Sequence, residues 1–295
     1  MADAAEREGG AQEKVAQETA RVQALEQARR QAEEAQRALE ALRKFPRPAI
    51  PWTNSLGMVF LPVAGADVLF CAHEARVADF AQFGADSKLA DARWKNPGFK
   101  QSSDHPVVYV NWEDANRFCA WLTAREHQDG RLRTNQVYRL PKDSEWSRAV
   151  GLTNEVGNSP RERSDRAKNQ YPWGRWPPPV KNAGNYAGKE INGPNQIPKP
   201  SIPGYEDAWV QTAPVQQFAP APNGLYDLGG NVWEWCEDPF DAQSADRVLR
   251  GGAWNVWERD ELLSSHRMHF APVLRLESVG FRCVLVVVPE RATAP

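Results

Sequence analysis

The chain has 295 residues, with 36 Lys and Arg against 38 Asp and Glu and a formal net charge of −2. That balance provides no bulk attraction for nucleic acid or an acidic membrane surface. No apolar run of about 18 residues marks a membrane span, and the polar first ten residues do not form a signal peptide, so the default expectation is a soluble, cytoplasmic protein.

Twelve Trp, 23 Pro and 20 Gly point to a core pinned by aromatic rings, with much of the backbone in loops. Cys71, Cys119, Cys236 and Cys283 form no C-x-x-C pair. They read as small buried hydrophobes rather than zinc ligands.

Residues 11–44 have strong helix composition, and Leu25, Ala28, Ala32, Ala35, Leu39 and Leu42 recur by three or four. The stripe is narrow, which leaves a weak coiled coil, a linker helix and a solvated spacer all open. Phe45 to Pro51 holds three prolines and ends the helix as an extended tether. This gives a helical segment over 1–45, a linker over 46–51, a domain over 52–289 and a tail over 290–295.

Within the domain, Met58–Val63 and Val68–Cys71 read as strands. Glu74 to Asp86 carries Val77, Phe80, Ala81 and Gly84 at helical spacing. Asn111 opens a clearer helix with Asp114 in its first turn and Ala115, Phe118, Cys119 and Leu122 as the buried face. Tyr138 to Pro141 ends a strand, and Ser144 is expected to cap a short helix carrying Trp146, Ala149 and Val150. Eleven prolines fall between Tyr171 and Pro222, an irregular stretch in which Trp173, Trp176, Tyr186 and Trp209 are the expected pins and Asp207 a ligand or capping group. Arg247 to Trp254 reads as a strand broken by Gly251 and Gly252, and Gly280 to Val288 as a central final strand.

The organising stretch is Gly224 to Asp238. Gly229 and Gly230 allow a tight reversal, after which Val232 to Cys236 forms a strand. Alternation puts Trp233 and Trp235 on one face and Val232, Glu234 and Cys236 on the other. Asp227, Asn231 and Glu234 gather oxygen donors of the kind a hard cation such as calcium takes. The alternative is a buried turn whose carboxylates pair with Arg247 or Arg250.

Eight ordered phrases carry a resemblance. They are Asn54 to Phe60, His105 to Val108, Trp112 to Ala115, Arg139 to Trp146, Tyr171 to Gly174, Gly224 to Trp235, Arg250 to Gly252 and Gly280 to Cys283. From about residue 52 to 288 the chain resembles the formylglycine-generating enzyme, or sulfatase-modifying factor, family. The resemblance implies an irregular α+β, C-type-lectin-like fold with little regular secondary structure, stabilised by calcium and here preceded by the N-terminal helix. By position, Asp227 and Glu234 with the carbonyls of Gly230 and Val232 would hold one calcium. Asn185 and Asp207 with the carbonyls of Tyr186 and Trp209 would hold a second. Cys119 and Cys283 match positions that form a disulfide in secreted relatives, and without a signal peptide they are expected reduced but close together.

Family catalysts oxidise a substrate cysteine with copper held by two cysteines. Aligned on Arg267, those slots hold Ser265 and Phe270, neither of which offers the thiolate that Cu(I) selects. Copper-dependent formylglycine generation is therefore not expected. Two readings follow: a binding module for a peptide or small molecule, with residues 11–44 joining it to a partner or a second copy, or a divergent oxidoreductase using Ser265, His266, Arg267 or His269 as polar groups of the same groove. His266 and His269, three apart in an extended segment, are expected to point to opposite faces rather than to form a metal pair.

Overall fold

The computed structural model describes residues 2–87, 89, 91–175, 180–193 and 199–287, with helix side chains in the N-terminal segment described over 17–37. The chain divides into two units, residues 1–45 and 46–295. The first is a single helix, α1 (Ala2–Arg43), longer than the composition window suggested. Its side chains from Gln17 to Arg37 are all exposed, Val22 and Leu25 among them. Leu39 and Leu42 of the expected stripe lie outside the described side chains.

The second unit does not begin with a free tether. Pro46 is buried, and its carbonyl accepts a 2.7 Å bond from Gln136 Nε2. Two small sheets follow. The first has the order β1 (Trp52–Thr53), β2 (Val59–Pro62), β3 (Val68–Cys71), β9 (Val284–Val286), β4 (Val137–Arg139), antiparallel throughout. The second has the order β7 (Met268–Phe270), β6 (Arg247–Arg250), β5 (Trp233–Pro239), β8 (Val279–Gly280), with β5 and β8 parallel. The expected single strand over 280–288 is thus two. Residues 279–280 pair in one sheet and 284–286 in the other, because Phe281 to Cys283 cross between them fully buried.

Period-two alternation sorts side chains between two cores. Leu69, Cys71, Trp233, Trp235 and Leu285 face the larger one, together with Phe80, Phe83 and Phe118. Val68, Phe70, Cys236 and Val284 face the smaller one, with Trp146 and Leu228. Phe80 and Phe83 come from α2 (Val77–Asp86) and Phe118 from α3 (Trp112–Gln128). Phe80 lies 5.9 Å from Phe118, 5.2 Å from Phe83 and 5.2 Å from Trp94 between ring centres. Tryptophan N–H groups find backbone partners: Trp235 Nε1 donates to Val110 at 3.1 Å and Trp112 Nε1 to Cys236 at 2.9 Å.

The Asn111 signature holds. Its side chain accepts from the Asp114 N–H at 2.8 Å, and Asp114 returns the bond, satisfying two open donors of the helix start. Ser144 does not cap the next helix: α4 spans Asp143–Ala149 with Lys142 at the N-cap, and Glu145 accepts the Lys142 N–H. A final short helix, α5 (Pro160–Arg163), starts at Ser159, whose hydroxyl accepts from Glu162 N–H. In the proline-rich stretch, Tyr171 stacks on Trp173 at 4.9 Å, Trp173 meets Tyr186 edge-on at 5.1 Å, and Trp209 packs against His105 at 5.7 Å. Three expected pins are in place. Trp176 lies outside the described residues.

Candidate functional site

The Gly224 to Asp238 stretch is a buried turn feeding β5. Gly230 has φ +82°, and a Cβ there would collide with the Asn185 carbonyl, so only glycine fits. Asn231, also left-handed at φ 61°, donates its N–H to the same Asn185 carbonyl at 2.8 Å. Its side chain donates to Glu74 Oε2 at 2.7 Å, and Val232 N–H donates to Glu74 Oε1 at 3.2 Å. Burial lifts the Glu74 carboxyl well above its ordinary range, reinforced by Asp227 and Glu234 nearby. Nothing local in the sequence marks Glu74, because its partners lie more than 150 residues away.

Glu234 is committed elsewhere. Its carboxylate takes two bonds from Arg282, Nε at 2.6 Å and Nη2 at 2.5 Å, and one from Trp146 Nε1 at 3.0 Å. Both partners of the ion pair are fully buried. The ion-pair alternative named Arg247 and Arg250 as partners, and both are corrected. Arg247 stacks over Trp112 at 4.2 Å, and Arg250 pairs with Asp143. Arg282 Nη2 also donates to the carbonyls of Tyr226 and Asp227 at 2.9 and 3.1 Å, so one guanidinium closes the whole turn. Asp227 accepts the Gln216 N–H at 2.9 Å through Oδ2 and keeps a buried, unpartnered Oδ1. Burial pushes its carboxyl up to about 6.

The second donor set is less committed. Asn185 is fully buried, and its Nδ2 donates to Gln211 at 2.8 Å while its Oδ1 has no partner. Asp207 accepts the N–H groups of Tyr186 at 2.8 Å and Trp209 at 2.9 Å. Burial pushes its carboxyl up to about 7, and Glu190 beside it adds to the rise. Both Glu190 oxygens are buried without a partner. Unpaired oxygens of carboxylate and amide type are the donors a hard cation takes, so this set fits calcium better than the first, where Glu234 is saturated. Among the described residues no three His, Cys, Asp or Glu side chains converge, so amide and carbonyl oxygens would have to complete either shell.

The copper-slot residues sit on different elements. Ser265 is buried in the loop before β7 and accepts the Ala167 N–H at 3.1 Å, while Phe270 closes β7 opposite Arg247. Cys119 and Cys283 bring their sulfurs within 3.4 Å inside the core. All four cysteines of the chain are buried. Burial pushes the Cys71 thiol up to about 12 and holds Cys236 and Cys283 well above their ordinary value.

Arg267, expected as a groove residue, is instead a buried anchor. It reaches Asp143 at 3.0 Å, Glu155 at 2.6 Å and Ser147 at 3.0 Å. The two histidines bond different partners, and only His269 lies in β7, His266 preceding it after a turn. His266 Nδ1 bonds Asp165 at 2.8 Å near Trp233, with Nε2 unpartnered, whereas His269 Nδ1 bonds Asp246 at 2.8 Å and its ring stacks on Phe240 at 3.9 Å.

Two clefts flank the segment 162–171 beside Ser265. One of about 690 Å³ is lined by Leu152, Asn154, Glu155, Glu162, Arg166 and Gln170. The other, of about 630 Å³, is lined by Lys168, Tyr171, Trp257, Arg259 and Leu263. Trp257 is 41 % exposed there, an aromatic surface of the kind that peptides and ring-bearing ligands meet.

Two small curled sheets, loops pinned by stacked rings and a glycine-asparagine turn locked by a buried arginine define an α+β fold of the formylglycine-generating-enzyme type. The model of the sulfatase-modifying factor enzyme 1-like domain matches residues 17–287, and the chain belongs to that family. It is 33 % identical over 206 residues to the inactive C-alpha-formylglycine-generating enzyme 2 of Mus musculus, covering 65 % of this chain and 54 % of the relative. It is 28 % identical over 221 residues to the formylglycine-generating enzyme of Streptomyces coelicolor, covering 65 % and 58 %. The chain thus spans little more than half the length of these relatives. Among solved structures, PvdO from Pseudomonas aeruginosa matches with a TM-score of 0.55 at 17 % identity, over 82 % of this chain and 100 % of that one, which shows the shared fold. No helix among the described residues is long and apolar enough to cross a membrane.

Proposed function

We propose that this chain is a calcium-stabilised binding module of the sulfatase-modifying factor family that takes a peptide or small molecule in the clefts beside residues 162–171 and does not generate formylglycine with copper. One observation carries the reading: every cysteine of the chain is buried, and Ser265 and Phe270 stand in the copper slots. Cu(I) selects thiolates, and burial holds the thiols of Cys71, Cys236 and Cys283 up, away from that form. The relatives include proteins named formylglycine-generating enzyme and proteins named its inactive counterpart at similar identity, so the sulfur count and not the likeness supports the assignment. Incubation of the purified chain with Cu(I) and a cysteine-containing sulfatase peptide is expected to leave the peptide mass unchanged. Appearance of the formylglycine product by mass spectrometry would overturn the reading.

The cation reading rests on the unpartnered oxygens of Asn185 and Glu190 beside Asp207. Transfer from calcium into chelator is expected to lower the melting temperature by several degrees, since losing a ligand of the native state removes its linked stability. An unchanged melting curve would count against calcium.

A second reading, a divergent oxidoreductase, is favoured by the His266–Asp165 pair, which orients an imidazole with a free Nε2 next to Trp233. The exposed α1 face is the proposed attachment to a partner or a second copy. Removal of residues 1–45, sparing the buried Pro46, is expected to lower the sedimenting assembly to a monomer. A wild-type chain that already sediments as a monomer would reject self-association.

A further inference from the structure

We infer that Glu190, a residue outside the family-derived donor set, is a direct ligand of the cation held by Asn185 and Asp207, and that Gly188 exists to let its carboxylate reach that position. The inference rests on the calcium reading above and adds a residue to it.

The backbone around Glu190 is fixed independently of any ligand. Gly188 N–H donates to Tyr186 at 2.7 Å, Lys189 N–H to Tyr205 at 2.9 Å, and Ile202 N–H to Ala187 at 2.7 Å. The single 3-10 turn Lys189–Ile191 follows, with Ile191 buried. From this turn the Glu190 side chain folds back over Gly188, where a Cβ would meet Oε1 at 2.5 Å and Oε2 at 2.6 Å. Gly188 itself has φ −84°, which any residue adopts, so conformational need does not call for glycine here. The space over it is taken by the carboxylate.

That carboxylate is near enough to the Asp207 carboxyl to act on its charge, and both Glu190 oxygens are buried without a hydrogen-bond partner. The neighbouring ammonium of Lys189 is committed to Glu206. Fully buried Asn185, which precedes the Tyr186 N–H that binds Asp207, leaves its Oδ1 unpartnered as well. Two neighbouring carboxylates repel, and each buried oxygen left unpaired costs its desolvation. A hard divalent cation removes both penalties, and two carboxylates with amide and carbonyl oxygens are its preferred shell.

The test uses the whole chain stripped with chelator and titrated with Tb³⁺, whose luminescence would be excited through Tyr205 and Trp209, followed by displacement with Ca²⁺. Glu190→Gln is expected to weaken both ions by about tenfold or more, because a charged donor is lost. Gly188→Ala is expected to do likewise while Glu190 remains, because it displaces the carboxylate.

Melting temperature supplies the second readout. Glu190→Gln should melt below the wild type in calcium but at or above it in chelator, where it relieves the repulsion. A Glu190 with a purely structural role would shift both in one direction. Wild-type affinity in both variants would overturn the Glu190 assignment alone. A wild-type chain that takes up neither ion would overturn it together with the calcium reading.

Discussion

Arg282→Met is expected to destabilise the domain by about 3–5 kcal/mol, the usual cost of removing one partner from a buried ion pair. The reason is the number of groups this guanidinium serves. It neutralises Glu234 through two bonds, and it satisfies the carbonyls of Tyr226, Asp227 and Cys71, the last at 3.3 Å. Without it, Glu234 remains fully buried with only the Trp146 N–H, beside Glu74 and Asp227. Glu74, Asp227 and Glu234, which act on one another, would then lose the opposing Arg282 charge. The loss is read from the midpoint of urea unfolding, or as a fall in melting temperature of roughly 10 °C or more for a domain of this size. Adding Glu234→Gln to Arg282→Met is expected to recover a large part of it, since the orphaned charge is gone. A single variant within about 1 kcal/mol of wild type would show that the pair is not what holds the turn.

The sequence made local features legible and left distant pairings hidden. The Asn111 cap was visible because donor and acceptor lie three residues apart, and the Trp233/Trp235 face because strand alternation depends on immediate neighbours. The metal-type turn was visible as a cluster of oxygen donors, yet the partner of Glu234 was not. Arg282 is 48 residues away, and charge alone favours the nearer Arg247 and Arg250 equally well. The same limit applies to Glu190 and Asp207, which belong to an irregular stretch without a periodic pattern to bring them together. Arg267 misled for another reason. Its place between two histidines suggested an accessible polar strip, whereas Asp143, Ser147 and Glu155 enclose it completely. One signal was available: the split of the final apolar run between two sheets is marked by Gly280, whose Cβ would meet the Val107 carbonyl at 2.6 Å.

The acid response of the domain is expected to depend on Asp143. This residue opens α4 and joins three guanidiniums, those of Arg163 at 2.9 Å, Arg267 at 3.0 Å and Arg250. Burial alone would raise its carboxyl, but the charges of Arg250 and Arg267 overcome that and hold it down to about 2, against an ordinary 3.8. A depressed carboxyl stabilises the fold fully above the unfolded value and loses that contribution as pH falls through the folded one. The window is therefore about pH 4 down to pH 2, and the separation is worth about 2 kcal/mol at roughly 1.4 kcal/mol per pH unit. Asp143→Asn removes the charge at every pH while retaining a hydrogen-bonding shape. It is expected to cost about 3 kcal/mol at pH 7, because the buried Arg250 is left without a carboxylate of its own while Arg267 keeps Glu155. Its stability should then fall less steeply than that of the wild type between pH 4 and pH 2, so the two urea midpoints converge as acid is added. Parallel curves across that window would show that the Asp143 carboxyl is not held below its unfolded value in the folded chain, which would overturn its place as the counter-charge of the arginine cluster.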